Sequence, residues 1–323
     1  MSRARRRRPP RVPSTGGRWR WVCSGVLLTL LACLVPMGAT PVGATPASAE
    51  PAAEAPATGR YLALGDSYAS GEGVEPFLPG TNRSRPENRC HRSASAYSQL
   101  LAVASPAREF WACSGARIGN FYPGQGQWGE PGQLEHLDGA TDLVTLSVGG
   151  NDMQFALVLG SCFTMRACHR ALAPFAALLR DRTVDRLAAL YREVLDRAPR
   201  ARVLVVGYPR FVTANPSPLC RLVGLEPFEA SWLVREVTGF DERLRDLVAR
   251  IGSPRLEYVG TLDAFAGGEA CASSRYVAGL VPRHPVYSFH PTRDGQAVLA
   301  QRVAAALGWG DDALVLPCAT WSR

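Results

Sequence analysis

Five short runs of apolar and β-branched residues, at 61–64, 109–112, 143–148, 203–206 and 256–259, recur along the chain with long segments between them. In each run apolar residues stand next to one another rather than only at every second position. A strand with one wet face alternates, so a continuous run requires cover on both faces, the condition of a parallel sheet held between helices. The intervening segments supply those helices. Residues 171–197 place Leu178, Leu179, Val184, Leu187, Leu190, Tyr191 and Val194 at three- and four-residue spacing, and 228–251 and 293–307 follow the same pattern. A shorter helix is expected over 94–104. Right-handed strand–helix–strand crossovers then predict an α/β fold, a three-layer α/β/α sandwich on a five-stranded parallel sheet. The Gly- and Pro-rich segments 71–92, 120–133 and 207–225 read as loops over the carboxyl ends of the strands, where open α/β sheets bind ligands. Neither an internal repeat nor a second domain boundary interrupts the 60–310 region.

The formal charge of +8 suggests a polyanion-binding protein until the charges are located. Arg3, Arg5, Arg6, Arg7, Arg8, Arg11, Arg18 and Arg20 all precede residue 50, and that stretch contains no Asp or Glu. The remainder is formally neutral, which excludes nucleic acid as a partner. The basic stretch is followed by an apolar run from Trp21 to Val35 and then by small residues ending in Ala47-Ser48-Ala49. That order predicts a signal peptide over 1–49, cleaved after Ala49, and a secreted product. The apolar run is shorter than the roughly 20 residues a membrane-spanning helix needs. Residues 50–59 read as a flexible linker and 311–323 as a C-terminal tail.

Of the nine cysteines, Cys23 and Cys33 lie in the leader; Cys90, Cys113, Cys162, Cys168, Cys220, Cys271 and Cys318 remain. In an exported chain these read as disulfides, and no Cys-x-x-Cys or His-x-x-x-His pair suggests a metal. Spacing alone leaves the pairing open.

Four blocks carry the chemistry. The first strand runs into Gly65-Asp66-Ser67-Tyr68, which presents a serine on a tight turn at a strand end. By itself this Ser could equally cap a helix. After the second strand stands Ala112-Cys113-Ser114-Gly115-Ala116, after the third Gly149-Gly150-Asn151-Asp152, and near the C-terminus Ser288-Phe289-His290-Pro291-Thr292. Taken singly, Gly115 could serve an unusual turn and Asn151 an Asx-turn.

The ordered set resembles the SGNH hydrolases, also called GDSL esterases and lipases, over roughly residues 60–308. The resemblance implies an SGNH/flavodoxin-like sheet and an ester hydrolase with no cofactor and no metal. It casts Ser67 as nucleophile, His290 as general base, and the N–H groups of Ser67 and Gly115 with the Asn151 amide as an oxyanion hole. The residue types suit these roles. A neutral hydroxyl attacks poorly until a base takes its proton, and an imidazole can do this and then protonate the leaving alkoxide. His91, His136, His169 and His284 lack such a context and read as surface or loop residues. Asp66 and Asp152 read as turn-orienting acceptors.

One position departs from the family pattern. An Asp commonly stands three residues before the His, and here that residue is Tyr287. The resemblance to secreted three-disulfide actinobacterial-type lipases and esterases implies instead a Ser–His dyad, its imidazole oriented by the main-chain carbonyl of Tyr287 or Ser288. Asp294 reads as an early-helix charge. The same subgroup implies disulfides Cys90–Cys113, Cys162–Cys168 and Cys220–Cys271, leaving Cys318 unpaired.

Phe77, Leu78, Phe121, Tyr122, Trp128, Met153, Phe155 and Phe163 lie on the expected loops, available either to an acyl-chain cleft or to ordinary packing. The leading expectation is a secreted, monomeric carboxylic-ester hydrolase acting on small-molecule or lipid fatty-acyl esters, with transient contact at a lipid surface. A carbohydrate O-deacetylase would require a polar cleft, and a non-catalytic surface binding protein would require a degraded residue set.

Overall fold

The computed structural model describes residues 59–82, 87–101, 108–165, 167–310 and 313–314. The expected signal peptide, all of the expected linker but Gly59, most of the expected tail and Cys318 lie outside them. Strands β1 (Arg60–Gly65), β2 (Arg108–Phe110), β3 (Thr141–Ser147), β4 (Arg202–Val206) and β5 (Leu256–Val259) form one sheet in the order β2-β1-β3-β4-β5. Every pairing is parallel, with Leu62 opposite Val144 and Val205 opposite Tyr258. The helices are α1 (Ser67–Ser70), α2 (Tyr97–Leu100), α3 (Phe155–Thr164), α4 (Cys168–Arg197), α5 (Pro218–Leu222), α6 (Pro227–Ile251) and α7 (Arg293–Leu307).

The continuous apolar runs are explained by what covers each face. Tyr61, Ala63, Leu143, Leu204 and Val206 share one core with Leu299, Ala300 and Val303 of α7. The alternate residues Leu62, Leu64, Val144, Leu146, Val203 and Val205 share the other with Leu187, Leu190 and Val194 of α4 and Phe240 and Leu244 of α6. Strand residues therefore alternate between two dry cores, which is the expected sandwich.

Boundaries differ in instructive places. β2 stops at Phe110 because Trp111 and Ala112 both donate to the carbonyl of Ala63, so the ladder cannot advance. The expected helix at 94–104 is a single described turn, and 120–133 is built from short 3-10 turns. Two loop readings are corrected: Phe155–Thr164 and Pro218–Leu222 are helical. α3 begins from Gln154 at φ 54°, with no side-chain cap to announce it, and contains Gly160.

The order β2-β1-β3 makes β1 the strand from which connections leave in opposite directions, and its carboxyl end opens a crevice. The first four strands each deliver a residue there: β1 leads to Ser67, β2 to Gly115, β3 to Asn151 and β4 to Tyr208. The turn after β1 depends on Gly65. Its φ is +139°, and a Cβ would lie 2.5 Å from the Ser147 carbonyl oxygen of β3. Gln133, buried, accepts from the Gly65 N–H at 2.8 Å and donates to its carbonyl at 2.9 Å. Gly65→Ala is expected to cost about 2–4 kcal/mol and to lower the melting temperature by roughly 5–15 °C, a shift readable by circular dichroism.

Candidate active site

Ser67 is the first residue of α1. The N-cap Asp66 accepts from the Tyr68 N–H at 3.0 Å, and Gly71 closes the turn in the left-handed region. The Ser67 hydroxyl, nearly buried, lies 2.8 Å from Nε2 of His290 across 223 residues of sequence. On the other side of the ring, Nδ1 lies 3.1 Å from the carbonyl oxygen of Ser288. A carbonyl only accepts, so Nδ1 carries the proton and Nε2 presents its lone pair to the serine hydroxyl. Of the two carbonyls named from sequence, it is that of Ser288 that meets Nδ1.

Such a short return from His290 to Ser288 requires a sharp turn, and Phe289 makes it at φ +61°. Three hydrogen bonds hold this uncommon backbone: Phe289 N–H to the Ala278 carbonyl, Ala278 N–H to the His290 carbonyl, and the Tyr68 hydroxyl to the Phe289 carbonyl at 2.7 Å. Gln296 of α7 donates to the Tyr68 carbonyl. The residue after Ser67 thus clamps the residue before His290. Tyr68 was not singled out from sequence, where it is one more aromatic.

Asp294 stands in the first turn of α7, exposed and paired with Arg275 at 3.3 Å. The Tyr287 hydroxyl donates to Glu75. Burial pulls His290 below the ordinary imidazole value; the Glu72 carboxylate and the backbone carbonyls of 286–288 oppose that shift. Glu72 itself is buried against His91, with 2.8 Å from His91 Nδ1 to each carboxylate oxygen. Phe77 stacks on the His91 ring. Of the surface or loop setting expected, His91 has the loop but not the surface; it belongs to a buried cluster beside the segment carrying Tyr287. His136 stacks on Trp111, His169 packs on Phe228, and His284 is exposed.

Gly115, at φ +79°, and Asn151 line the same cleft as Ser67 and His290. The Asn151 side-chain amide donates to the Ala116 carbonyl at 3.0 Å, joining the turn after β3 to the turn after β2. Asp152 accepts from the Ile118 N–H and from Arg186. A further link was missed from sequence. The Tyr208 hydroxyl donates to Asp66 at 2.5 Å and accepts from the Gly150 N–H at 3.1 Å. The turns after β1 and β3 are thereby joined through one buried phenol. Burial raises the Asp66 carboxyl to about 7, against the opposing Tyr208 hydrogen bond.

The disulfides are Cys90–Cys113, Cys162–Cys168 and Cys220–Cys271. The first holds the 71–92 loop beside Gly115, and the Ser114 N–H donates to the Cys90 carbonyl across it. The second joins α3 to α4, and the third ties α5 to the segment after β5.

The cleft has a volume of about 500 Å³, and its walls away from Ser67 are mostly apolar: Phe155, Leu159, Phe163, Phe211, Val237 and Phe289 among them. Of the loop aromatics considered from sequence, only Phe155 and Phe163 reach it. Phe121 and Met153 are core, Phe77 covers His91, and Trp128 packs on Cys90 and Cys113. A neighbouring cleft of about 580 Å³ contains Arg117, Arg182 and Arg186 but no Ser–His pair.

A serine hydroxyl on an imidazole lone pair, at the carboxyl edge of a parallel sheet and facing an apolar cleft, is the arrangement of a serine ester hydrolase of the α/β/α sandwich class. The GDSL-like Lipase/Acylhydrolase family model matches residues 63–298, and the chain belongs to that family. It is 31% identical over 242 residues to Lipase 1 of Streptomyces coelicolor, covering 73% of this chain and 82% of that protein. Among solved structures it is similar to phospholipase A1 from Streptomyces albidoflavus NA297, with TM-score 0.67, 29% identity and coverage of 77% and 99% of the two chains. The extracellular lipase from Streptomyces rimosus gives TM-score 0.65, 28% identity and coverage of 77% and 100%.

The buried Asp66 yields a signed pH dependence. Between about pH 4 and 7 the folded protein holds a proton that the unfolded chain has released, so stability from this group declines as pH rises through that window. Asn cannot titrate. The melting-temperature deficit of Asp66→Asn should therefore be largest near pH 4 and should narrow or reverse by pH 8. A deficit that grows with pH would mean that the folded state favours the ionised carboxylate.

Proposed function

We propose that this protein is a secreted lipase or esterase that cleaves fatty-acyl esters through an acyl-enzyme on Ser67. The observation that carries the proposal is the Ser67–His290 contact of 2.8 Å at the head of the apolar cleft. His290 Nε2 takes the hydroxyl proton as Oγ attacks the acyl carbonyl, and returns it to the departing alcohol oxygen. A water molecule then repeats the sequence on the acyl-enzyme and releases the acid. The Ser288 carbonyl fixes the tautomer and stabilises the imidazolium less than a carboxylate would, a Ser–His dyad.

The tetrahedral oxyanion would be met by the N–H groups of Ser67 and Gly115 and by the Asn151 amide. The Asn151 nitrogen has two hydrogens, and its bond to Ala116 uses one. The apolar walls suit an acyl chain, each buried methylene contributing about 0.8 kcal/mol, and they argue against a carbohydrate deacetylase, which would need polar walls for a sugar. The Streptomyces relatives named as lipases and a phospholipase A1 support the same choice. The three disulfides and the likeness to an extracellular lipase support export, with removal of 1–49, leaving a linker over 50–59, a hydrolase domain over 60–310 and a tail over 311–323.

Hydrolysis of medium-chain p-nitrophenyl esters tests these roles. Ser67→Ala should lose at least about 10,000-fold in kcat, and Asn151→Ala about 100- to 1,000-fold. Asp294→Ala should remain near wild type; a loss equal to that of His290→Ala would overturn the dyad. Because the base must be neutral, the acid limb of kcat/KM should fall below the ordinary imidazole value of 6.5. Glu72→Gln should move it further toward acid. A limb above 6.5 would contradict the assignment of His290.

A further inference from the structure

Three segments surround the mouth of the cleft: the α3–α4 region, the loop after β4 that contains α5, and the loop before α7. Val223, Leu280 and Val286 line the cleft and are at the same time 41–50% exposed, so they stand at its opening. α5 runs directly into Val223, and on it Leu219 is 69% and Leu222 82% exposed. This is not a loose end. The turn is tied by Cys220–Cys271, the Ser217 N–H donates to the Cys271 carbonyl, and Gly224 packs on the backbone of Phe163. An apolar turn held out in water by a crosslink beside a catalytic cleft marks a contact surface.

The charges within these segments are all of one sign. Residues 153–180, 207–225 and 270–293 contain no Asp and no Glu, although the chain has 28 carboxylate residues. Arg221, between Leu219 and Leu222, and Arg283, between Leu280 and Val286, are exposed and form no ion pair among the described residues. Apolar side chains interleaved with unpaired guanidinium groups complement a layer whose interior is hydrocarbon and whose surface is negative.

We propose that this rim docks the protein on an anionic phospholipid surface, with α5 as the inserted element and Arg221 and Arg283 set against the headgroup phosphates. The proposal rests on the acyl-ester reading of the cleft and extends it: an ester drawn from the layer would pass between Val223, Leu280 and Val286 to reach Ser67 without crossing water.

Sedimentation with vesicles of ether-linked lipids tests the docking apart from the chemistry, because these lipids have no acyl ester to cleave. The mature wild type should partition onto vesicles containing phosphatidylglycerol, bind those of phosphatidylcholine alone at least about ten-fold less, and be released by salt. Leu219→Ser with Leu222→Ser should weaken partition at least about ten-fold. Arg221→Gln with Arg283→Gln should weaken it roughly ten-fold on anionic vesicles only. Both variants should hydrolyse soluble p-nitrophenyl butyrate like wild type, which also shows that they are folded. Equal binding to neutral and anionic vesicles, binding to neither, or unchanged partition of both variants would overturn the proposal. A wild type that binds vesicles yet leaves the soluble ester intact would instead sink the hydrolase reading.

Discussion

The active geometry depends on one long-range contact, the hydrogen bond between residues 67 and 290 near the two ends of the domain. Nothing local in either segment could create it. Ser67 is placed by β1, the strand at which the order of the parallel sheet reverses, and His290 by a loop between Val277 and α7. The loop is joined to the strand end through Tyr68, whose hydroxyl holds the Phe289 carbonyl and whose own carbonyl is held by Gln296. One tyrosine thus fixes the distance between hydroxyl and imidazole from the side opposite the contact itself. The positive φ at Phe289 is sustained by the same bonds. An uncommon conformation of this kind persists only where its surroundings over-determine it.

A second constraint holds the acceptor side. The Asp66–Tyr208–Gly150 chain and the Asn151–Ala116 bond tie together the turns after β1, β2, β3 and β4. Asp66, Tyr208 and Ala116 are buried, so each of their polar atoms must find a partner or cost about 1–3 kcal/mol. That cost makes the arrangement specific: moving the turn after β1 or β4 breaks the buried hydrogen bond between Asp66 and Tyr208. In the proposed mechanism, donors held in this way would meet developing charge without having to reorient.

The sheet was legible because its residues face helices on both sides, and few architectures besides a covered parallel sheet accommodate continuous apolar runs of strand length. The four motif blocks were legible because strand-to-loop junctions place them at one edge whatever the loops do. The Ser288 carbonyl was legible only as one of two, since the choice depends on the φ of Phe289, which no sequence pattern announces. Tyr68, Tyr208, Gln133 and the Glu72–His91 pair were not legible. Their roles lie in partners 68 to 221 residues away, or, for His91, in burial of a loop that composition marks as exposed. α3 was missed because its apolar residues are shared between core and cleft, which removes the one-sided stripe that identifies a surface helix.

The absence of a carboxylate before His290 follows from the same packing. Tyr287 occupies the position, and its ring stands beside His91 and Phe77 while its hydroxyl reaches Glu75. An Asp there would place a charge next to the buried Glu72, and like charges at close range in a poorly solvated region disfavour ionisation of both. A neutral carbonyl orients the imidazole without adding that charge. Glu72 already biases the ring toward its protonated form, so in the proposed mechanism part of the electrostatic help that a triad aspartate supplies would come from this carboxylate. In the proposed mechanism, with less stabilisation of the imidazolium by its direct partner, more of the barrier reduction would fall to the oxyanion donors. That is consistent with the number of buried hydrogen bonds devoted to holding the turns that bear them.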